Sequence, residues 1–201
     1  MILTDCHSGK EALVTACNTA FNLSIALDVK EQLSIGDSGI IQLLRRTAEA
    51  NLDSAGIQYY TYEFLRNTVL HCPSNTQLVL ECGYLSLLGE TARCHAGDPE
   101  VICVTYALAI DLANADKPAS EFILNSPLFT LSFGIADHFA ADSKTLHAIL
   151  ALWTVLSRRP ASKAIMRATA CERICRAALT AHASTHGTIV GVCRTLLAQL
   201  R

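Results

Sequence analysis

The chain has little of what breaks or loosens a helix. Its 201 residues include only 5 prolines and 10 glycines, so no segment has the composition of a disordered linker. No alternation of apolar and polar residues is long enough to indicate a strand. Aromatic residues make up 6% of the chain although 51% is hydrophobic, and alanine and leucine supply most of the apolar content. This composition favours helices packed closely on other helices.

Charge is sparse and nearly balanced. Charged residues make up 17% of the chain, and 16 Lys and Arg against 18 Asp and Glu give a net charge of −2. Proteins that bind nucleic acid or anionic membranes carry a basic excess, so we expect neither partner. The low charged fraction indicates that a partner or further helices cover part of the surface.

The sequence also lacks membrane, export and disulfide signals. No uncharged apolar run reaches the roughly 18 residues that could span a bilayer; the longest candidate is Thr145–Leu156. The first residues lack the basic start and apolar run of a signal peptide. The nine cysteines are odd in number and follow no disulfide spacing. We therefore expect free thiols and a cytoplasmic protein, with the nucleus as the alternative compartment.

Catalytic motifs are missing as well. The chain contains no Gly-rich phosphate loop, no Gly-x-Ser-x-Gly and no His-Glu-x-x-His, so we expect no enzyme activity and no cofactor. Cys171, Cys175, His182 and His186 form the best metal-ligand pattern. On one continuous helix, however, Cys171 and His186 would lie about 22 Å apart. We interpret the two cysteines as core residues and keep an all-α Cys/His metal protein as one alternative.

The sequence does contain a repeating pattern of helix signals. Residues typical of helix starts recur every 44 positions, at Gly39, Gly83, Pro127 and Cys171. Leu43, Leu87 and Leu131 follow the same step, and we expect all three to be buried at one repeating position. A helical period of about 40–47 residues is typical of armadillo and HEAT arrays.

Each unit also contains a longer apolar segment. Prolines such as Pro118 and Pro160, 42 residues apart, open a short helix after it. No linker divides the chain, which we interpret as one domain over residues 1–201, or as a fragment of a longer solenoid. The long segments are Glu11–Leu27, Ile57–His71, Glu100–Asn114, Thr145–Arg158 and Thr188–Leu200.

These units resemble the armadillo repeat, in which a Gly-containing cap and paired leucines open one helix and a long helix carries an asparagine. The resemblance covers nearly the whole chain, and HEAT repeats fit at the same level. It implies an all-α, right-handed α-solenoid (an armadillo-like superhelix) of about four repeats. In that family the long helices line a concave groove, where a ladder of asparagines holds the extended backbone of a partner.

The resemblance also implies specific groove positions. Asn22, Asn67 and Asp111 stand at the ladder position, whereas Thr154 departs from it. The family's groove tryptophan is replaced in the successive units, so capture of a basic nuclear-localisation peptide is not implied. The residues at that tryptophan position are Asn18, Glu63, Ala107 and Leu150.

Aromatic residues offer candidate anchors for a partner. Tyr59, Tyr60 and Tyr62 fall within four positions and cannot all face the core. We interpret one of them as packing inward, with an exposed aromatic patch as the alternative, because tyrosine is enriched in binding hot spots. Trp153, beside Thr154, fits the core better, and an exposed anchor is the alternative.

Together these observations predict a non-catalytic scaffold or adaptor that binds a protein or peptide along the concave face. The alternative is a structural section of a larger solenoid without a ligand of its own. Self-association through uncapped solenoid ends is a further expectation. The candidate partner-binding residues are Asn18, Asn22, Tyr59, Tyr60, Tyr62, Glu63, Asn67, Asp111, Trp153 and Thr154.

Overall fold

All regular secondary structure in the described part of the chain is α-helix. The structure is a computed structural model that describes residues 2–70, 72–184 and 186–201, with side chains except at 2–8, 29 and 161. These residues form thirteen α-helices and no strand. The prediction of an all-α fold is confirmed.

A short helix, a second helix and a long helix recur in this order four times after α1. We call these sets the four helix triplets, α2–α4, α5–α7, α8–α10 and α11–α13. The helices are α1 (Ile2–Ile25), α2 (Val29–Asp37), α3 (Ile40–Ala50), α4 (Ala55–Val69), α5 (Pro73–Glu81), α6 (Tyr84–Cys94), α7 (Pro99–Ala115), α8 (Lys117–Leu124), α9 (Pro127–His138), α10 (Ser143–Leu156), α11 (Pro160–Arg167), α12 (Cys171–Ala181) and α13 (Gly187–Gln199).

The corners between short and second helices explain the spaced glycines. Gly39 and Gly83 precede α3 and α6 with φ values of 77° and 76°. Other residues adopt this left-handed conformation only with strain. The third triplet has no glycine at this corner. There Ser126 has an extended backbone and Pro127 begins α9. Local sequence therefore determines where these helices begin.

The long helices pack on one another in chain order. Helix α1 contacts α4, α4 contacts α7, α7 contacts α10, and α10 contacts α13. The sequence of α7 is apolar on nearly every side because the helix lies between two other long helices. The largest fully buried side chains, Trp153, Tyr62, Tyr84 and Tyr106, belong to this continuous core.

Hydrogen bonds connect successive triplets at nearly the sequence period. Tyr84 donates its hydroxyl to the Ile41 carbonyl at 2.9 Å, and His95 Nε2 lies 2.7 Å from the Leu52 carbonyl, each pair 43 residues apart. His182 Nε2 makes the same kind of contact, 2.8 Å from the carbonyl of a residue 42 positions earlier. These bonds join the end or face of one second helix to the next.

A buried polar network closes the junction of α3, α4 and α6. Gln58 is fully buried and donates Nε2 to the carbonyls of Ala48 (2.7 Å) and Asn51 (3.1 Å) at the end of α3. Its Oε1 accepts from Thr91 Oγ1 at 3.2 Å, and Thr91 is 2.6 Å from the Tyr62 hydroxyl. Every polar group of this network is thereby satisfied without water.

The repeating leucines do not share one environment. Leu87 is fully buried and Leu131 half-buried, whereas Leu43 is 54% exposed, so the prediction for Leu43 is wrong. Tyr84 and Leu87 lie on the face of α6 that reaches Ile41 of α3. The matching face of α3 has no earlier second helix to contact among the described residues.

The first three helices expose more apolar surface than the others. Of the eight exposed large hydrophobic side chains that the structure describes, five belong to α1–α3. An end of a helical array exposes the surface that a neighbouring unit would otherwise bury. The five are Leu13, Leu23, Ile25, Leu33 and Leu43.

A matched pair of leucines tests this packing. Leu87→Ala removes a buried side chain and leaves a cavity, so we expect it to lower the free energy of unfolding by roughly 2–5 kcal/mol. Leu43→Ala should change it by less than about 1 kcal/mol because the side chain is exposed. Chemical denaturation followed by circular dichroism measures both. Equal losses would contradict the assigned faces of α3 and α6.

Candidate functional site

The exposed sides of four successive long helices border one groove. It has a volume of about 450 Å³, within the range of ligand-binding clefts. Small and apolar side chains from α7 and α10 form its floor, and longer polar side chains stand at its rim. We call this the long-helix groove, and it is lined by Arg66, Cys103, Ala107, Ile110, Ser143, Lys144, His147, Ala148, Ala151, His186, Thr188 and Ile189.

The 44-residue step relates the groove positions of α4, α7 and α10. Glu63 and Ala107 are followed at this step by Ala151, which lines the groove. Leu150, the residue assigned from the resemblance, is fully buried. One residue corresponds to about 100° around a helix, so that assignment pointed to the wrong face. Ala151 replaces Leu150 at this position.

Two predicted surface anchors lie in the core. Trp153 has no exposed area, and its Nε1 donates to Ser132 Oγ at 2.8 Å. The residues 44 and 88 positions earlier, Ala109 and Leu65, are also fully buried. Tyr62 is fully buried in the network described above. Trp153 therefore lies in the core, as the sequence favoured, and Tyr62 is the tyrosine that packs inward. Their assignment as partner-binding residues is wrong, since a side chain without exposed area cannot contact a partner.

The other two tyrosines are partly accessible. Tyr59 and Tyr60 are half-buried, with ring centroids 5.3 Å apart in an edge-to-face arrangement. Tyr60 also lies 6.1 Å from the ring of Phe21 on α1. These rings form an aromatic surface between α1 and α4, so Tyr59 and Tyr60 stay candidates for partner contact.

The predicted ladder residues are bonded within the chain. Asn22 Nδ2 donates to Asn18 Oδ1 at 3.0 Å, and Asn67 Nδ2 donates to Ser24 Oγ at 3.0 Å. Thr154 donates to a carbonyl of its own helix at 2.9 Å. Asn22 and Asn67 each keep a second amide N–H for a partner, because a side-chain amide nitrogen carries two donors.

A charged bridge joins α4 to α7 at the edge of the groove. Arg66 Nε donates to Asp111 Oδ2 at 3.0 Å, and its Nη1 lies 3.3 Å from Glu63. Burial raises the pKa of Asp111 above its ordinary value of 3.8, and the opposing effect of Arg66 is smaller. Glu63 and Asp111 therefore position Arg66 rather than extending freely into the groove.

The groove thiol is not arranged for nucleophilic chemistry. Cys103 is half-buried at the groove floor. Burial raises the pKa of its thiol above 9.0, against smaller opposing effects from Lys144 and Arg66. Because the thiolate is the reactive species, a thiol with a raised pKa is a poor nucleophile at neutral pH.

The best metal-ligand pattern is spread over the length of α12. Cys171 and Cys175 are buried near its start, whereas His182 follows its end, about 15 Å away along the helix. The rings of His182 and His186 are 5.2 Å apart. Burial raises the pKa of Cys171 to about 11. Within the described side chains, no three His, Cys, Asp or Glu residues converge as metal ligands.

Several groove residues were missed by sequence reasoning. Arg66, Ile110 and Lys144 have no distinctive motif around them. Cys103 and His147 could have been found, because they follow Tyr59 at successive steps of 44 residues.

Comparison with known proteins gives no assignment. No family model, no curated protein and no solved structure matches the chain. Among the helices that the structure describes, none has both the length and the apolarity required to cross a membrane. Function must therefore be argued from the groove and the surface of this chain.

Asp111 provides a pH-dependent test of the charged bridge. Its raised pKa means that the folded protein binds this proton more tightly than the unfolded chain, so its contribution to stability falls as the pH rises above 3.8. Asp111→Asn removes the charge and keeps an oxygen acceptor for Arg66. We expect it to be neutral or stabilising at pH 7 and to lose any advantage below pH 3.8.

Urea denaturation across this pH range measures the effect. Asp137→Asn, at an exposed ion pair with Arg173, is the control and should alter stability by less than about 1 kcal/mol. A larger loss for Asp111→Asn than for the control at pH 7 would mean that the attraction of Arg66 outweighs the cost of burial.

The cysteines provide a second test of the site. Cys94 is exposed, whereas Cys171, Cys175 and Cys193 are fully buried. We expect maleimide to label Cys94 rapidly in the native protein and the three buried thiols only after unfolding, as mapped by mass spectrometry. Rapid native labelling of Cys171 would contradict its burial and raised pKa.

Proposed function

We propose that this chain is an armadillo-like, right-handed solenoid that binds a segment of a partner protein on its long-helix face. It acts as a scaffold or adaptor in the cytoplasm or nucleus and has no catalytic role. The recurrence of the helix triplets and the hydrogen bonds between residues 42 or 43 apart support this architecture. Arrays of this kind present extended concave surfaces to their partners.

The observation that carries the proposal is the continuity of the groove over four long helices. Ala107 and Ala151, on two neighbouring helices, are small where the armadillo family has large groove residues. The floor therefore has room for a bulky apolar side chain of the partner. Lys144 and His147 at the rim can donate hydrogen bonds to the backbone or polar groups of such a segment.

The arginine and the cysteine of the groove favour binding over catalysis. Arg66 is held by Glu63 and Asp111, and the pKa of the Cys103 thiol is raised. A general base needs a pKa near the working pH, and a cysteine nucleophile needs a lowered one. The groove offers shape and hydrogen-bond donors, which are the requirements of peptide recognition.

A second candidate function is supported by the exposed apolar residues of α1–α3. Leu23 and Leu33 are 64% and 51% exposed, and burial of such side chains would favour docking of further helices. A structural section of a larger solenoid would use this end for its own repeats. Self-association through the same end also stays a prediction.

Site-specific photo-crosslinking tests the groove function. A photoreactive amino acid at Ala107 or Ala151 should crosslink the same segment of the same partner in cells, identified by mass spectrometry. The control position is Ala177, which is exposed on α12 outside the groove. Equal crosslinking from Ala177, or different proteins from Ala107 and Ala151, would contradict a shared groove site.

A steric variant then tests the identified segment. Ala107→Trp fills the groove floor and should weaken binding of that segment at least about tenfold, which corresponds to 1.4 kcal/mol. Ala177→Trp should leave the affinity unchanged. Fluorescence anisotropy measures both, after circular dichroism has established that both variants are folded.

A further inference from the structure

Charged residues are distributed unevenly along the chain, although the net charge is close to zero. The first 100 residues contain 6 Lys and Arg but 12 Asp and Glu. Residues 157–201 contain eight Lys and Arg and a single acidic residue, Glu172. The fourth helix triplet and the corner before it are therefore strongly basic.

A cleft lies at the border of this basic region, between α8 of the third helix triplet and α11 of the fourth. Its volume is about 580 Å³. Helix α8 contributes a floor of apolar and polar side chains, and the corner between α10 and α11 contributes two consecutive arginines. We call it the α8–α11 cleft, and its main lining residues are Lys117, Glu121, Leu124, Arg158, Arg159 and Ile165.

The two arginines are fixed in place by neutral oxygens. Arg158 Nη1 donates to Asn114 Oδ1 at 3.3 Å, and Arg159 Nη2 donates to Ser120 Oγ at 3.1 Å. Among the described side chains, neither has a carboxylate within 4.0 Å, whereas Arg66 and Arg173 are each paired with an aspartate. Both arginines are thus oriented without a direct ion pair, and Glu121 is the one carboxylate that lines the cleft with them.

Apolar surface adjoins these charges. Leu124 is nearly buried at the cleft, and Ile165 on α11 is 38% exposed beside it. An apolar side chain that entered the cleft would gain from burial. Carboxylates on either side of it could form charge-assisted hydrogen bonds with Arg158 and Arg159.

We propose that the α8–α11 cleft binds an acidic segment of a partner protein, in which Asp or Glu residues flank one bulky apolar residue. A nucleic acid would require a basic track along an extended path. Here Lys117, Arg158 and Arg159 outnumber the single carboxylate of Glu121 around a partly apolar floor, and the acidic first half of the chain repels a long polyanion. A short acidic peptide fits both features. The site is separate from the long-helix groove and does not depend on it.

Selection from a random peptide library displayed on phage tests the proposal with the whole protein as bait. We expect the enriched peptides to carry an excess of Asp and Glu around a large apolar residue. The Arg158→Gln/Arg159→Gln variant should bind a synthetic enriched peptide at least tenfold more weakly. Arg46→Gln, at an exposed arginine on α3, is the matched control and should bind it as tightly as the unaltered protein.

Two further variants test the cleft independently of the two arginines and of the long-helix groove. Lys117→Gln changes an exposed side chain at the cleft and should weaken the peptide several-fold even if the arginine variant is unstable. Ala107→Trp should leave acidic-peptide affinity unchanged, so this site and the long-helix groove can fail separately. Affinity should also fall as salt concentration rises.

Four results would overturn the proposal. They are enrichment of neutral or basic peptides, absence of any enriched peptide, an affinity unaffected by both Lys117→Gln and the arginine variant, and tighter binding of a single-stranded RNA oligonucleotide or phosphatidylserine vesicles than of the acidic peptide. Either of the last two ligands would assign the basic surface to a different class of partner.

Discussion

The contact between successive long helices is the interaction on which the rest of the structure depends. Helices α7 and α10 are apolar on most sides and would be unstable in water without a neighbour on each side. Stacking in chain order satisfies this requirement and sets the offset between triplets. The inter-triplet bonds of Tyr84 and His95 follow from that offset, as does the closure of the Gln58 network.

The same stacking leaves one side of α4, α7, α10 and α13 partly uncovered, and these sides together form the long-helix groove. The side chains at its floor are small, because alanines and Cys103 occupy these positions. At its edge, the ion pair between Arg66 and Asp111 holds the arginine in place. The α8–α11 cleft has a different origin, at the corner where Arg158 and Arg159 connect a long helix to the next short one. Two separate surfaces thus arise from one packing scheme.

The helix content, the helix starts at Gly39, Gly83 and Pro127 and the order of long segments could be predicted from the sequence, because caps, prolines and apolar periodicity act locally. The groove could be predicted only in part. The resemblance to armadillo repeats placed Ala107 at a groove position, and Ala107 lines the groove, but it also indicated Leu150, which is buried. The error at Leu150 is a shift of one residue around α10, because degenerate motifs do not determine the rotation of a helix to within one residue.

The sequence by itself determined an all-helical chain, its period and its corners, since these depend on residues close together along the chain. Only the tertiary structure decided which positions at the same step of the period differ in burial and in their partners. Leu43 is exposed and Leu87 buried at the same step of the period, because burial depends on the helix that lies opposite. Likewise Arg66 forms an ion pair with Asp111, whereas Arg158 donates to the neutral Asn114. The position of a carboxylate in space is set by packing and not by spacing in the sequence.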